Sequence, residues 1–365
     1  MTERLRIAQV APLIEPVPPP LYGGTERVVA NVTDSLLRAG HEVTLFASGD
    51  SETDADLVPG CERALRLADA GDNAMPVYLS MLEEVYNRAD EFDVIHSHID
   101  YIAYPFARRS DTPTVTTMHG RLDLENLPLL YREYDDMPLV SISQAQRRPL
   151  PDSTRWASNI YHGLPLDQYE LNESGGDYLA FLGRISPEKA VDSVIRVAIE
   201  TGRPLKIAAK VDPVDEKYFE TRIEPMLQHS LVDFVGEISE EEKQEFLGNA
   251  AALLFLIDWP EPFGLAMIEA MACGTPVIAR RRGSVPEVVD EGITGFICEN
   301  ETGAAEAVRQ IDALDRSEIR QHFETRFDVD RMGKDYINTY RSLIAEANGY
   351  DDRMRDWPRY PESRL

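Results

Sequence analysis

The chain has 365 residues, 43% of them apolar and 28% charged, a composition that fits about two globular domains and excludes wholesale disorder and collagen-like repeats. Lys and Arg number 37 against 64 Asp and Glu, a formal net charge of −27. This argues against a general binder of nucleic acid or anionic membrane, while leaving room for a local basic pocket around one small anion.

In chain order, residues 6–10 read as a first strand, 25–39 as a helix ended by Gly40, and 41–47 as the next strand. Further strands are expected at 93–96, 114–118 and 139–142, with helices at 77–89 and 124–134 between them. A joint rich in Gly, Pro and Asn follows near 162–173 and continues to Gly176. A second series then begins: strand 178–182, helix 187–200, strand 205–208, helix 216–228, strand 232–235 and helix 240–250. It continues with strand 253–257, helix 265–273 and strand 276–279, and the pattern over 331–345 is again helical. Strand–helix alternation implies parallel sheets covered on both faces. The expected fold class is α/β, as two Rossmann-like units: 1–165 and 166–340, with a tail, 341–365, packing back on the first unit through Trp357 and Tyr360. The longest apolar run, 250–257, is far short of the ~20 residues of a membrane span and reads as a buried strand. Cys61, Cys273 and Cys298 form no CxxC pair and fit reduced thiols. With no cleavage-type leader in the first residues, a cytoplasmic protein without stable membrane insertion is expected.

Ligands of open parallel sheets lie beyond the carboxyl ends of the strands, and several informative residues fall there. Gly23-Gly24-Thr25-Glu26 follows the first strand; paired glycines let backbone N–H groups approach an anion at a helix start, or they form a plain turn with Thr25 as cap. Gly183, Arg184 and Lys189 surround a strand-to-helix turn with Pro187 at the helix start, where two cations suit a diphosphate; otherwise they are solvated surface cations. Glu261 sits at the mouth of the next loop and Glu269 in an apolar helix, where a carboxylate is costly without a partner such as a sugar hydroxyl pair. The alternatives are a helix-start charge and an exposed face. His96 and His98 share one face of a strand but nothing fixes a third ligand, so no metal site is expected.

The spacing of Glu261 and Glu269 followed by Ala-Met-Ala-Cys-Gly-Thr-Pro-Val, together with Gly183-Arg184 and Lys189, Gly23-Gly24, and Met118-His119-Gly120, resembles glycosyltransferase family 4 across nearly the whole chain. The resemblance implies the GT-B fold and retaining transfer of a hexose, glucose or mannose, from a UDP or GDP sugar to an acceptor hydroxyl. It implies Arg184 and Lys189 on the donor diphosphate, Glu269 on the ribose and Glu261 against the donor sugar. His119 would touch the transferred sugar, although the residue alone also reads as a satisfied strand-end histidine; Glu261 and His119 are the expected catalytic residues. Backbone amides at Phe263, Gly264 and Leu265 would meet sugar or phosphate, and Gly23 and Gly24 the donor phosphates and acceptor. Lys210 and residues 235–238 would lie near the base and pyrophosphate. No cofactor and no metal are expected: Asp54-x-Asp56 and Asp328-x-Asp330 lie away from the donor segment. Pro262 stands where the family often has Gly. Arg280-Arg281-Arg282 replaces small polar residues, pointing to an anionic acceptor or an extra phosphate contact, or to a solvated basic loop. A nucleotide-sugar epimerase and a non-catalytic nucleotide-sugar binder are the alternatives on the same fold.

Overall fold

The computed structural model describes residues 4–21, 23–66 and 74–355; the expected anchors Trp357 and Tyr360 lie outside them. Seven parallel strands form the first sheet: β1 (Arg6–Val10), β2 (Glu42–Ser48), β3 (Asp56–Cys61), β4 (Val94–Ser97), β5 (Thr114–Thr117), β6 (Leu139–Ser141) and β7 (Trp156–Asn159), in the order β3-β2-β1-β4-β5-β6-β7. Six form the second: β8 (Tyr178–Ile185), β9 (Leu205–Val211), β10 (Val232–Gly236), β11 (Ala250–Phe255), β12 (Val277–Arg280) and β13 (Gly295–Cys298), in the order β10-β9-β8-β11-β12-β13. Both are doubly wound, and in both the strand order reverses beside the first strand, at β1/β4 and at β8/β11.

Period-two alternation sorts the side chains of each sheet onto two buried faces. In the second sheet, Ala180, Leu253 and Phe255 pack with Met267 and Met271 of the helix Leu265–Ala272. Leu179, Phe181 and Leu254 point the other way, onto Val194 and Ala198 of the helix Val191–Thr201. In the first sheet, Ile7, Val94 and Val115 pack under Val28, Val32 and Leu36 of the helix Gly24–Arg38. The same face is covered by Met332, Tyr336, Tyr340 and Leu343 of the long helix Val329–Arg355, whose three-to-four-residue spacing makes a single stripe. The chain thus returns to the first sheet at Val329, ahead of the expected 341.

The two crossings between the sheets lie side by side. Leu164 pairs with Asp328, its N–H donating to the Phe327 carbonyl at 2.9 Å and its carbonyl accepting from the Val329 N–H at 3.0 Å. A Cβ on Gly163 would stand 2.6 Å from the Asp328 carbonyl oxygen, so only glycine lets the strands approach this closely.

Three local expectations are corrected. β8 runs through Gly183 to Ile185, so Arg184 is a strand residue. Pro187 opens only a short 3-10 turn, Pro187–Lys189; Ala190 is left-handed at φ 51, and the helix starts at Val191. The region expected as one helix over 216–228 is broken into short α, π and 3-10 turns, as a mostly exposed, charged segment permits. None of the helices among the described residues is long and apolar enough to cross a membrane.

Candidate active site

The carboxyl ends of both sheets open onto one cleft of about 460 Å³, lined by residues of both units. Gly23, Gly24, His119, Arg184, Lys189, Lys210, Glu261, Phe263, Gly264, Leu265 and Glu269, scattered along the sequence, all line it. All but Glu269, in the middle of the helix Leu265–Ala272, lie close to a strand end or a helix start. Gly23, with no side chain to offer, caps the helix Gly24–Arg38, so the Thr25 cap expected of a plain turn does not form. Gly264 caps the helix Leu265–Ala272 with φ 88; a Cβ there would meet Met267 Cε at 2.7 Å and Phe255 Cζ at 2.9 Å. Two helix starts, with their unsatisfied N–H groups, therefore border the cleft, one from each unit.

The charges are arranged as opposed pairs. Lys189 Nζ lies 2.7 Å from Glu261 Oε2, which also accepts from Trp259 Nε1 at 3.0 Å. The Lys189 ammonium stands over the Trp259 ring at 5.2 Å, and Arg121 of the first unit lies over the same ring at 5.5 Å. Arg184 is held by Glu188 at 2.7 Å, Asp212 at 3.4 Å and Asp215 at 3.5 Å, and Lys210 by Asp212 at 2.8 Å. Burial opposes ionisation of Asp212, but bonds from Lys210 and Arg184 leave its carboxyl below the ordinary range, whereas burial leaves Asp215 above it. Glu269, only 3% exposed, is not on an exposed face; it accepts from Lys243 Nζ at 2.8 Å. The two cations expected to receive a diphosphate thus already face carboxylates, and a phosphate must compete for them.

A row of imidazoles runs from the first core to the cleft. His96 is buried between Tyr340 Oη and Thr117 Oγ1, each 2.7 Å away. His98 bonds Gln9 Oε1 at 2.7 Å and His119 Nε2 at 2.9 Å. Since the Gln9 oxygen can only accept, His98 donates to it through Nε2 and accepts at Nδ1, so His119 donates through Nε2. Its Nδ1 is left as a lone pair. The His119 ring stacks at 5.5 Å on His162, which packs edge-on to Phe263 at 4.8 Å. Burial pushes His119 down to about 3 and holds His96, His98 and His162 well below the ordinary imidazole range, so all four are neutral near pH 7. His96 and His98 are thus engaged with protein groups. Among the described residues no three His, Cys, Asp or Glu groups are placed to hold a metal.

The basic loop does not join this site. Arg280 and Arg282 pair with Asp258 at 3.5 and 3.1 Å, and Arg281 with Glu299 at 2.7 Å, and none of the three is among the residues that line the cleft. Sequence reading missed Arg27, Lys243, Trp259 and His162, which line the cleft. Each is an ordinary surface or core residue in its local pattern, and its place in the cleft follows from the fold rather than from a local motif.

The comparisons agree with this fold. The family described as Glycosyltransferase Family 4 matches residues 22–161, and that described as Glycosyl transferases group 1 matches 167–327. A D-inositol 3-phosphate glycosyltransferase of Frankia alni is 26% identical, covering 86% of this chain and 90% of the relative. A glycogen synthase of Mycobacterium tuberculosis is 25% identical, covering 80% and 83%. Among solved structures, AviGT4, a glycosyltransferase involved in avilamycin A biosynthesis, superposes with a TM-score of 0.72 at 24% identity, covering 93% of this chain and 98% of that one. Anabaena Alr3699/HepE in complex with UDP and glucose superposes with 0.72 at 20% identity, covering 93% and 100%. The two family matches together span both units and the cleft between them, and the chain belongs to glycosyltransferase family 4: a GT-B enzyme that transfers a sugar from a nucleotide-sugar donor.

Proposed function

We propose that the enzyme transfers a hexose, glucose or mannose, from a UDP or GDP sugar to an acceptor hydroxyl with retention at the anomeric carbon, without a divalent metal. The observation that carries this reading is the convergence of Arg184, Lys189, Glu261 and Glu269 with two helix starts in one cleft at the switch points of both sheets. Arg184 and Lys189 take the diphosphate, with the amides of Gly24 and of residues 263–265 at the helix starts. Glu269 accepts from the ribose hydroxyls. Lys189 and Glu261 exchange one another for the donor: the ammonium turns to a phosphate oxygen and the carboxylate to hydroxyls of the sugar. His119, neutral and with Nδ1 unprotonated, accepts from a sugar hydroxyl.

In the chemical step the bond from C1 to the phosphate oxygen breaks, its electron pair leaving with the diphosphate. The acceptor oxygen bonds C1 on the same face, and the acceptor proton passes to the departing phosphate oxygen. No protein nucleophile is required. Fixed cations and helix dipoles stabilise the charge developing on the leaving group, and preorganised electrostatics of this kind usually lower the barrier more than any other single effect. The chain's relatives include an enzyme named for an inositol phosphate and one named for glycogen, which supports a small molecule or glycan as acceptor; with the donor groups on the second unit, the first unit's face of the cleft, near Ile14, Glu15 and Leu21, is the side left for it.

The test is incubation with UDP-glucose or GDP-mannose without acceptor, followed by proton NMR. Slow release of the nucleoside diphosphate with the α-sugar as first product supports retaining transfer to water. A β-sugar as first product excludes retention, a changed sugar still on the nucleotide indicates epimerisation, and binding without turnover of either donor, even with hydroxyl acceptors added, indicates a non-catalytic binder.

A further inference from the structure

The buried carboxylate of Glu269 is the end of an alternating chain of charges that crosses the cleft. Lys243 Nζ stands 2.8 Å from Glu269 Oε1 and 2.8 Å from Glu240 Oε2. Glu240 Oε2 is also 2.8 Å from Arg27 Nη1, and Arg27 belongs to the other unit, on the helix Gly24–Arg38. Glu240 is held in addition by the linker: Tyr169 Oη and Gln168 Nε2 both donate to its Oε1 at 2.6 Å. Arg27 is anchored in turn, its Nη2 donating to the Leu21 carbonyl at 3.0 Å. The side chains are 9, 21, 14 and 4% exposed in the order Arg27, Glu240, Lys243, Glu269, so these pairs are little screened by water.

The arrangement leaves little freedom at Glu269. An ammonium on Oε1 fixes the rotation of the carboxylate and leaves Oε2 as the acceptor free of that contact. Lys243 has no route to another carboxylate without abandoning Glu240, and Glu240 is clamped by the linker and by Arg27. The helix carrying Arg27 is also the one whose first residues, Gly23 and Gly24, border the cleft.

We infer that Lys243 is a positioning residue for ribose recognition, and that Glu240, held from the opposite unit by Arg27, completes it, so that the ribose hydroxyls are read fully only when the two units are in contact. This rests on the reading that Glu269 meets the ribose. Supporting a carboxylate from behind in this way is how an outer group orients one that contacts the ligand.

The test is isothermal titration calorimetry of the full chain with UDP and 2′-deoxy-UDP, and with GDP and 2′-deoxy-GDP, so that either base serves. Wild type should prefer the ribonucleotide by about tenfold, the worth of one hydrogen bond to a charged group. In Lys243→Met that preference should fall to about twofold or less while deoxynucleotide affinity stays within about twofold of wild type, and Lys243→Arg should keep most of it. A merely structural role would weaken both nucleotides alike. Arg27→Met, two links removed from Glu269, should lower the preference by about threefold, the scale of coupling through a connected network; if Lys243→Met fails to fold, Lys243→Gln, in which the preference should fall likewise, decides the role of Lys243. No preference in wild type overturns the ribose reading and this inference with it. A wild-type preference kept in Lys243→Met overturns the role of Lys243, and one kept in Arg27→Met overturns the link across the cleft.

Discussion

Lys189 and Glu261 neutralise each other at 2.7 Å with side chains only 18% and 11% exposed, so their removal should separate stability from catalysis. Lys189→Met leaves the Glu261 carboxylate in a mostly dry site with Trp259 Nε1–H as its remaining donor. Breaking a buried pair costs about 3–5 kcal/mol; with that indole bond retained and some water access, about 2–3 kcal/mol is expected. Lys189→Met/Glu261→Gln removes both charges, and the glutamine oxygen can still accept from the indole, so most of the loss should return. Activity should behave otherwise. If the pair opens to take phosphate on one side and sugar on the other, each single variant loses about 10²- to 10³-fold in turnover, as for deletion of one preorganised donor, and the double variant recovers none of it. Urea denaturation gives the first quantity, and nucleoside diphosphate release from a UDP or GDP sugar gives the second. A double variant no more stable than Lys189→Met would refute mutual neutralisation. Turnover within a few-fold of wild type in Lys189→Met would refute the phosphate role.

Glu269→Ala should weaken donor binding about tenfold or more, the loss of charged hydrogen bonds to ribose, and leave turnover at saturating donor much less affected; calorimetry and steady-state kinetics separate the two. Transfer should be complete in EDTA, because Asp330 is already paired with Arg38 at 2.8 Å and neither Asp-x-Asp pair lines the cleft; activity lost on chelation and restored by Mg²⁺ or Mn²⁺ defeats the two-cation account. Because the chain passes between the units at Leu164 and Asp328, side by side, saturating donor should reduce the radius of gyration in small-angle scattering, and an unchanged radius counts against closure. Burial raises the Asp100 carboxyl to about 6, so the folded state holds a proton between about pH 4 and 6 that the unfolded state has lost, and stability falls as pH rises through that window. Asp100→Asn, whose side chain suits φ 53, should therefore raise stability by up to about 3 kcal/mol above pH 6 and by nothing at pH 3.5; equal gains at both pH values would show that the charge is not the cause.

The parts legible in the sequence are those whose chemistry is local. β11, Ala250–Phe255, is buried along its whole length, so it stands out as an uninterrupted apolar run. The strands absent from the sequence reading, β3, β7 and β13, are edge strands of the two sheets. β3 carries Pro59 and Gly60, and β7 is exposed or half-buried throughout. An edge strand has one neighbour and need not be apolar, so nothing in its composition separates it from a loop. The helix start at Val191 is hidden for a related reason: Pro187 is a legitimate first helical residue, and only the left-handed Ala190 delays the helix beyond Lys189. The cleft follows the same division. Its glycines and the Glu261 and Glu269 pair lie in short, distinctive segments, and their positions at strand ends place them together once the strand order is known. Arg27 and Lys243 have no such signature. Arg27 is one cation on an amphipathic helix, and Lys243 one among the glutamates of the helix Glu240–Gly248, where solvation explains it equally well. The meaning of Lys243 depends on Glu269, 26 positions away on another helix, and that of Arg27 on Glu240, more than two hundred positions away across the juxtaposition of two separately formed sheets. What the cleft can bind is therefore written in local motifs, whereas how firmly it holds those groups in place is set by packing between the units, which no local pattern encodes.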